Sequence, residues 1–196
     1  MKTYTFVFFG IAGSGKGTQG ALLEKFLKEG KLTEDIIYIA PGAEYRKLVD
    51  NGGYTGQIIK RTSEKGFLQP DFLTTSLFTN ILISNMTANM SFIADGYPRT
   101  ISQSESFEKA MNFYERSDIH VIYIEVSKEE AVKRMKVRAR ADDTDEGIET
   151  RFDEYVKNVL PSMKYFEGKP GYTLHTINGE QTVDQVHADI IKTLGM

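Results

Sequence analysis

The sequence of 196 residues contains no cysteine and no tryptophan, and it has only three histidines. Without cysteine, the chain has no disulfide, no thiol nucleophile and no thiolate to offer a metal ion. The histidines His120, His175 and His187 are widely separated and show no metal-ligand spacing. We therefore expect no zinc site in this protein.

An excess of positive charge is also absent. The chain has 24 lysine and arginine residues against 27 aspartate and glutamate residues, which gives a formal net charge of −3. A chain with this balance has no overall field that attracts nucleic acid or anionic lipid. We expect a protein that binds neither, and any anion it does bind must be held by local geometry.

Long apolar runs are missing as well. A membrane-spanning helix needs about 20 consecutive apolar residues, and no stretch of the sequence approaches that length. The apolar run at residues 4–12 is short and leads into Gly-Ser-Gly-Lys rather than into a cleavage site of small residues. We interpret it as a buried first strand, not as a signal peptide, and we expect a cytoplasmic protein.

Short apolar runs alternate with helical patterns, which is typical of an α/β fold with a parallel sheet covered on both faces. The pattern predicts one domain over residues 1–196. An apolar stripe that begins near Asp145 contains Pro161, which predicts a kink or a break in that helix. The predicted strands are 5–9, 36–39, 91–94, 120–126 and 172–177, and the other predicted helices are 17–29, 71–86, 100–115, 128–137 and 182–194.

The segment 41–70 differs from this pattern, because it contains five glycines and supports only short helices. It lies between two predicted strands. We predict a small insertion at the carboxyl edge of the sheet, where open α/β sheets bind their ligands.

A phosphate-binding loop is predicted directly after the first strand. Residues 10–18 read Gly-Ile-Ala-Gly-Ser-Gly-Lys-Gly-Thr, which has the spacing of Gly, four residues, Gly and Lys. Glycines let the backbone N–H groups point inward, the following helix adds its positive end, and Lys16 adds a full charge. Gly17 follows the lysine where the general motif has a hydroxyl residue for Mg²⁺, and Thr18 comes one position late.

Two segments resemble the adenylate kinases and their nucleoside monophosphate kinase relatives. Gly-Ser-Gly-Lys-Gly-Thr-Gln at residues 13–19 is similar to the phosphate loop of that family. In that family the metal ion is bound mainly by phosphate oxygens and water. Asp-Gly-Tyr-Pro-Arg-Thr at residues 95–100 is similar to a second signature of the family. The resemblance implies transfer of the γ-phosphoryl group of Mg-ATP to AMP, which gives two ADP.

The same resemblance implies the fold and the division of the chain. We expect a P-loop three-layer α/β/α fold with a five-stranded parallel sheet, an insertion at 41–70 that binds the monophosphate, and a very short lid at 137–145. Because the lid is so short, we expect the insertion to do most of the closing. A monomer is the usual state of the short-lid form.

The resemblance also implies roles for individual residues. Those at the transferred phosphoryl group are Lys16, Arg99, Arg138, Arg140 and Arg151. Asp95 contacts Mg²⁺ through water. The ATP site comprises Gly13, Ser14, Gly15, Lys16, Gly17, Thr18, Arg134, Arg138 and Gln181. The AMP site comprises Pro41, Gly42, Arg46, Phe67, Leu68, Gln69, Gly96, Arg99, Gln103, Arg140 and Arg151.

Some positions leave alternatives open. Pro41 and Ala43 stand where the family usually has a hydroxyl residue and an aspartate, so a UMP/CMP-type kinase stays possible. Gln103 either reads the adenine edge or, at three residues after Thr100, closes a helix capping box. A non-catalytic ATP-binding module and an NTPase that transfers to water are the alternatives from other classes.

Overall fold

The computed structural model describes residues 2–138 and 143–196. In chain order the elements are β1 Thr5–Phe9, α1 Lys16–Glu29, β2 Asp35–Ile39, α2 Pro41–Asp50, α3 Tyr54–Glu64, α4 Asp71–Asn85, β3 Met90–Asp95, α5 Ile101–Phe113, β4 Ile119–Glu125, α6 Lys128–Arg138, α7 Asp145–Glu154, a π-helical segment Tyr155–Val159, α8 Leu160–Lys164, β5 Tyr172–Asn178 and α9 Val183–Thr193.

The five strands of the described chain form one parallel sheet in the order β2-β3-β1-β4-β5. Every residue of β1 is buried, and successive side chains point to opposite faces. Phe6 and Phe8 pack into a core with α1 and α9, whereas Val7 and Phe9 pack into a second core with α4, α5 and α8. Helices thus cover both faces, and the predicted three-layer α/β fold is confirmed.

The strand order places a crevice beside β1. The chain passes from β1 to β2, returns to β3 next to β1, and then crosses to β4 on the other side. This reversal is the position where open α/β sheets bind ligands. Phe8 in β1 pairs with Asp95 at the end of β3, so the loop after β1 and the carboxylate of Asp95 lie side by side.

The predicted elements agree with the structure to within a few residues at their ends. The segment 41–70 contains two helices, α2 and α3, of about three turns each. The predicted break at Pro161 takes the form of the π-helical segment, in which the Leu160 N–H donates to the Tyr155 carbonyl. Pro161 has no N–H to continue the α-helical ladder, which explains a change of helix type at this point.

Within the described ranges, no helix combines the length and the apolar character needed to cross a membrane. The predicted lid, 137–145, includes residues 139–142, which lie outside the described chain.

Candidate functional site

The loop between β1 and α1 curls because of its glycines. Gly13 has a φ of +87°, and a Cβ there would lie 2.6 Å from the carbonyl oxygen of Ala131 in α6. Gly15 adopts the left-handed conformation as the N-cap of α1. Only glycine fits both requirements at low cost. The Ser14 hydroxyl is buried and has no hydrogen-bond partner within the described chain.

Lys16 folds back over this loop. Its Nζ donates to the carbonyl oxygens of Gly10 at 2.6 Å and Ile11 at 2.9 Å. Burial lowers the pKa of Lys16 to about 8; the Asp95 carboxylate opposes the shift, and the Arg99 and Arg138 guanidinium groups add to it. Burial, more than the neighbouring charges, therefore lowers this pKa, and the negative oxygens of a polyphosphate would favour the charged ammonium.

Asp95 faces the loop from the end of β3. Its Oδ2 accepts a hydrogen bond of 2.9 Å from the Tyr38 hydroxyl, and burial together with this carboxylate raises the pKa of Tyr38. A Cβ on Gly17 would lie 3.4 Å from the same oxygen. The glycine after Lys16 therefore lies beside this carboxylate and leaves the space next to it open.

Arg99 is fixed at the start of α5. Its Nε donates to the Gly96 carbonyl at 2.8 Å, and its backbone N–H donates to Oε1 of Gln103 at 2.8 Å. Gly96 has a φ of +72°, and a Cβ there would lie 2.6 Å from Arg99 Nη2. Burial lowers the pKa of the Arg99 guanidinium. The Arg99 side chain thus passes close to the backbone of Gly96, where a Cβ would be in its way.

Gln103 forms no capping box, and that sequence alternative is wrong in detail. Thr100 caps α5 by accepting a hydrogen bond from the Gln103 backbone N–H. A capping box also needs the Gln103 side chain to accept from the Thr100 backbone N–H, but it accepts from the Arg99 backbone N–H instead. Its Nε2 donates to Oδ1 of Asp71 at 2.8 Å. The side chain is buried and links α4 to α5.

Two of the predicted arginines meet on Asp143. Arg138 donates to this carboxylate through Nε at 3.0 Å and Nη2 at 2.7 Å, and Arg151 donates through Nη1 at 2.7 Å. The Asp143 side chain is only 1 % exposed. The predicted Arg140 lies outside the described residues. Asp143 was missed as a site residue, because it belongs to an acidic run that reads as the cap of the following helix.

Arg134 and Gln181 lie at the end of the cleft formed by α6 and the loop after β5. Arg134 donates to Glu130 at 2.7 Å and to the Gly179 carbonyl at 2.8 Å. The Gln181 amide donates to the Asn178 carbonyl and to Asp189. Since the Gln181 side chain is engaged there, a base at this end would meet the backbone of the loop.

A single cleft of about 1200 Å³ joins these groups. On the insertion side it is lined by Gly42, by Arg46, which is exposed, and by Phe67 to Gln69. Every described residue predicted for the site lines this cleft except Pro41 and Gln103. Those two line a small pocket of about 50 Å³ beside it, together with Tyr45 and Thr74, which sequence reasoning missed.

Comparison with known proteins identifies the family. The family model described as "Adenylate kinase" matches residues 8–170, which include the phosphate loop, the insertion and Arg151. The adenylate kinase of Mycobacterium ulcerans (strain Agy99) is 32 % identical over 189 residues, which cover 96 % of this chain and 98 % of that protein. That of Prochlorococcus marinus (strain AS9601) is 30 % identical over 184 residues, 94 % of either chain.

A third relative, the adenylate kinase of Geobacillus sp. (strain WCH70), is 30 % identical over an alignment 220 positions long, which covers 96 % of this chain and 97 % of that protein. Each of the three relatives matches at least 94 % of this chain. The chain therefore belongs to the adenylate kinase family.

Proposed function

We propose that the protein transfers the γ-phosphoryl group of Mg-ATP to AMP, reversibly, so that two ADP form. The observation that carries this proposal is the single cleft that holds the phosphate loop at one side and the insertion, with Arg99, at the other. Two nucleotides bound there would meet end to end at Lys16 and the guanidinium groups. A cytoplasmic monomer is part of the proposal.

The proposed chemistry depends on position and charge. Phosphoryl transfer passes through a loose transition state with charge spread over the phosphoryl oxygens, so the protein mainly supplies orientation and cations. Lys16 would follow the migrating group, Arg99 would hold the acceptor phosphate, and Arg138, Arg140 and Arg151 would surround the point of transfer. No general base is required, because the acceptor is already an anionic phosphate.

The residues present fit a magnesium ion held mainly by phosphates and water. One carboxylate oxygen of Asp95 accepts a hydrogen bond from Tyr38, and the carboxylate faces the open space beside Gly17. Within the described residues no group of three aspartate, glutamate or histidine side chains is arranged to hold a metal ion by itself. When bound, the ion would neutralise charge on the phosphates, and Asp95 would orient its water ligands.

A UMP/CMP-type kinase is the second candidate. It is favoured by Pro41, which begins α2 with neither a hydroxyl nor a free N–H to offer a base. Gln103 argues for adenine over uracil, because its oxygen already accepts from the Arg99 N–H and its remaining N–H suits an acceptor ring nitrogen.

Initial rates with AMP, CMP, UMP and GMP at fixed Mg-ATP test the proposal. We expect AMP to give the highest kcat/KM. Lys16→Met should reduce kcat by at least about 10³-fold, the scale of a cation at the transferred group, and Gln103→Leu should raise KM for AMP. Lys25→Met, an exposed lysine of the same helix, is the matched control.

The alternatives give different results. Preference for UMP or CMP would replace AMP as the acceptor. ATP binding without ADP formation from any monophosphate would indicate a binding module, and ADP formation at the same rate without a monophosphate would indicate an NTPase.

A further inference from the structure

A small pocket lies beside the cleft. Its volume is about 50 Å³, against about 1200 Å³ for the cleft itself. It opens into the main cleft, because both are lined by Gly42, Tyr45, Leu68, Gln69, Gly96 and Arg99. A base lying in the cleft would therefore present one edge to this pocket.

Two hydroxyl groups meet at the wall of this pocket. Tyr45 of α2 and Thr74 of α4 are hydrogen-bonded to each other through their oxygens. Thr74 is buried, and its single hydroxyl proton has a second acceptor, the Pro70 carbonyl at 3.3 Å. A phenol is a stronger acid than an alcohol, so Tyr45 donates to Thr74 and Thr74 donates to Pro70. The remaining lone pairs of the Tyr45 oxygen are then left to accept.

Gln103 lines the same pocket with its amide orientation fixed. Its oxygen must face the Arg99 N–H, and its nitrogen must face the Asp71 carboxylate. In the reverse orientation the amide N–H groups would face the Arg99 N–H, and the amide oxygen would face the carboxylate. One N–H of the amide then stays available to a ligand. Beside it, the Tyr45 oxygen supplies an acceptor.

We propose that Tyr45, oriented by Thr74, determines which class of base the acceptor site takes. This inference rests on the proposed function, because it concerns the monophosphate of that reaction. Adenine and cytosine present an exocyclic amino group next to an acceptor ring nitrogen, which matches an acceptor next to a donor. Hypoxanthine, guanine and uracil present a carbonyl oxygen there, and its lone pairs oppose those of Tyr45.

Three purine monophosphates isolate this contact. AMP carries the 6-amino group, IMP carries a 6-carbonyl group, and purine riboside 5′-monophosphate carries neither. Wild-type enzyme should prefer them in the order AMP, purine riboside monophosphate, IMP. Tyr45→Phe should lower kcat/KM for AMP about tenfold, the effect of one hydrogen bond, through KM rather than kcat. It should leave purine riboside monophosphate unchanged.

Thr74→Val should change kcat/KM in opposite directions for AMP and IMP. Thr74→Val removes the acceptor for the Tyr45 proton, which can then turn toward the base, so kcat/KM should fall for AMP and rise for IMP. Thr74→Ser keeps the hydroxyl and should keep the wild-type order. Tyr54→Phe, on the same insertion and 77 % exposed, is the control, and a melting temperature for each variant checks folding.

The outcomes separate the two proposals. An equal loss for all three monophosphates in Tyr45→Phe would mean that Tyr45 only packs, and it would overturn this inference while leaving the transfer reaction intact. The same holds if wild-type enzyme accepts AMP and IMP equally. If wild-type enzyme phosphorylates none of the monophosphates, the proposed function itself fails.

Discussion

At the scale of single residues, Lys16 shows how a fold prepares a charge for its ligand. Its ammonium group is satisfied by carbonyl oxygens of its own loop, yet burial holds its pKa near 8. The negative oxygens of ATP favour the charged form. ATP binding should therefore raise this pKa again and draw a proton from solution.

We predict net proton uptake when ATP binds near pH 8. Above this pH the unbound lysine loses its charge, so each further pH unit should weaken ATP binding by up to about tenfold. Calorimetry in two buffers with different ionisation enthalpies measures the uptake. Lys16→Met should abolish it and Lys25→Met should not; equal uptake by wild-type enzyme and Lys16→Met would contradict the assignment.

The sequence predicts residues that belong to contiguous motifs, such as Lys16 and Arg99. It does not predict Asp143 or Tyr45. Asp143 is explained locally as a helix cap, and its contact with Arg138 and Arg151 exists only after α6 and α7 pack. Tyr45 becomes informative only when α4 brings Thr74 to its hydroxyl. Residues whose role depends on a contact that only packing creates carry no local signal.

At the scale of elements, the insertion meets α7 through two glycines. Gly66 follows α3 with a φ of +82°, and a Cβ there would clash with the carbonyl oxygen of Gly147. The carboxyl end of the insertion thus packs on the first turn of α7. This contact supports the expectation that the insertion closes the cleft and keeps water from the phosphoryl group.

Replacing Gly66 with alanine should separate the insertion from α7. We expect KM for AMP to rise and ATP hydrolysis without AMP to increase, because a displaced insertion would admit water to the phosphoryl group. A coupled assay for ADP measures both quantities.

Gly52→Ala is the matched control. Gly52 also has a positive φ, +70°, but a Cβ there would meet no described atom within 4 Å. Both variants carry the same backbone strain, and only Gly66→Ala adds the clash. Hydrolysis that stays at the wild-type level in Gly66→Ala would show that the insertion does not exclude water.

The elements themselves were predictable because their signals are periodic. Alternation and apolar stripes predicted the strands and helices, and the missing N–H of Pro161 predicted the break before α8. The π-helical form of that break was not predictable, because the choice of hydrogen-bond register depends on packing. Tyr155, at its start, is hydrogen-bonded to Tyr123 of β4.

At the scale of the whole molecule, the net charge of −3 hides a cationic cleft. Composition therefore excludes a global field but does not predict the cluster of Lys16 and arginines, which only the fold assembles.

A second charge-related feature concerns stability. His120 of β4 and His175 of β5 share a hydrogen bond of 3.1 Å between Nδ1 and Nε2.

Burial lowers the pKa of both histidines. At His120, the Asp118 carboxylate raises the pKa and Lys2 lowers it further. At His175, the neighbouring His120 lowers the pKa further. The unfolded chain has the ordinary value of 6.5 and so binds protons more readily. Their contribution to stability is complete above about pH 6.5 and is lost as the pH falls below it.

We therefore predict that the free energy of unfolding decreases between pH 7.5 and pH 5.5, by at most about 1.4 kcal/mol per histidine and pH unit. Urea denaturation at the two pH values measures the decrease. His120→Gln combined with His175→Gln should flatten the dependence, whereas Lys25→Met should retain it. An unchanged dependence in the double variant would assign the effect to other groups.

The carboxylate that joins Arg138 to Arg151 has one more consequence. A phosphoryl group that engages these guanidinium groups must displace Asp143 or share them with it, so its arrival is an exchange of anions. The free energy gained is the difference between two ion pairs, which limits how firmly either nucleotide is retained. In a reaction that runs in both directions, such an internal counterion favours rapid turnover over tight capture.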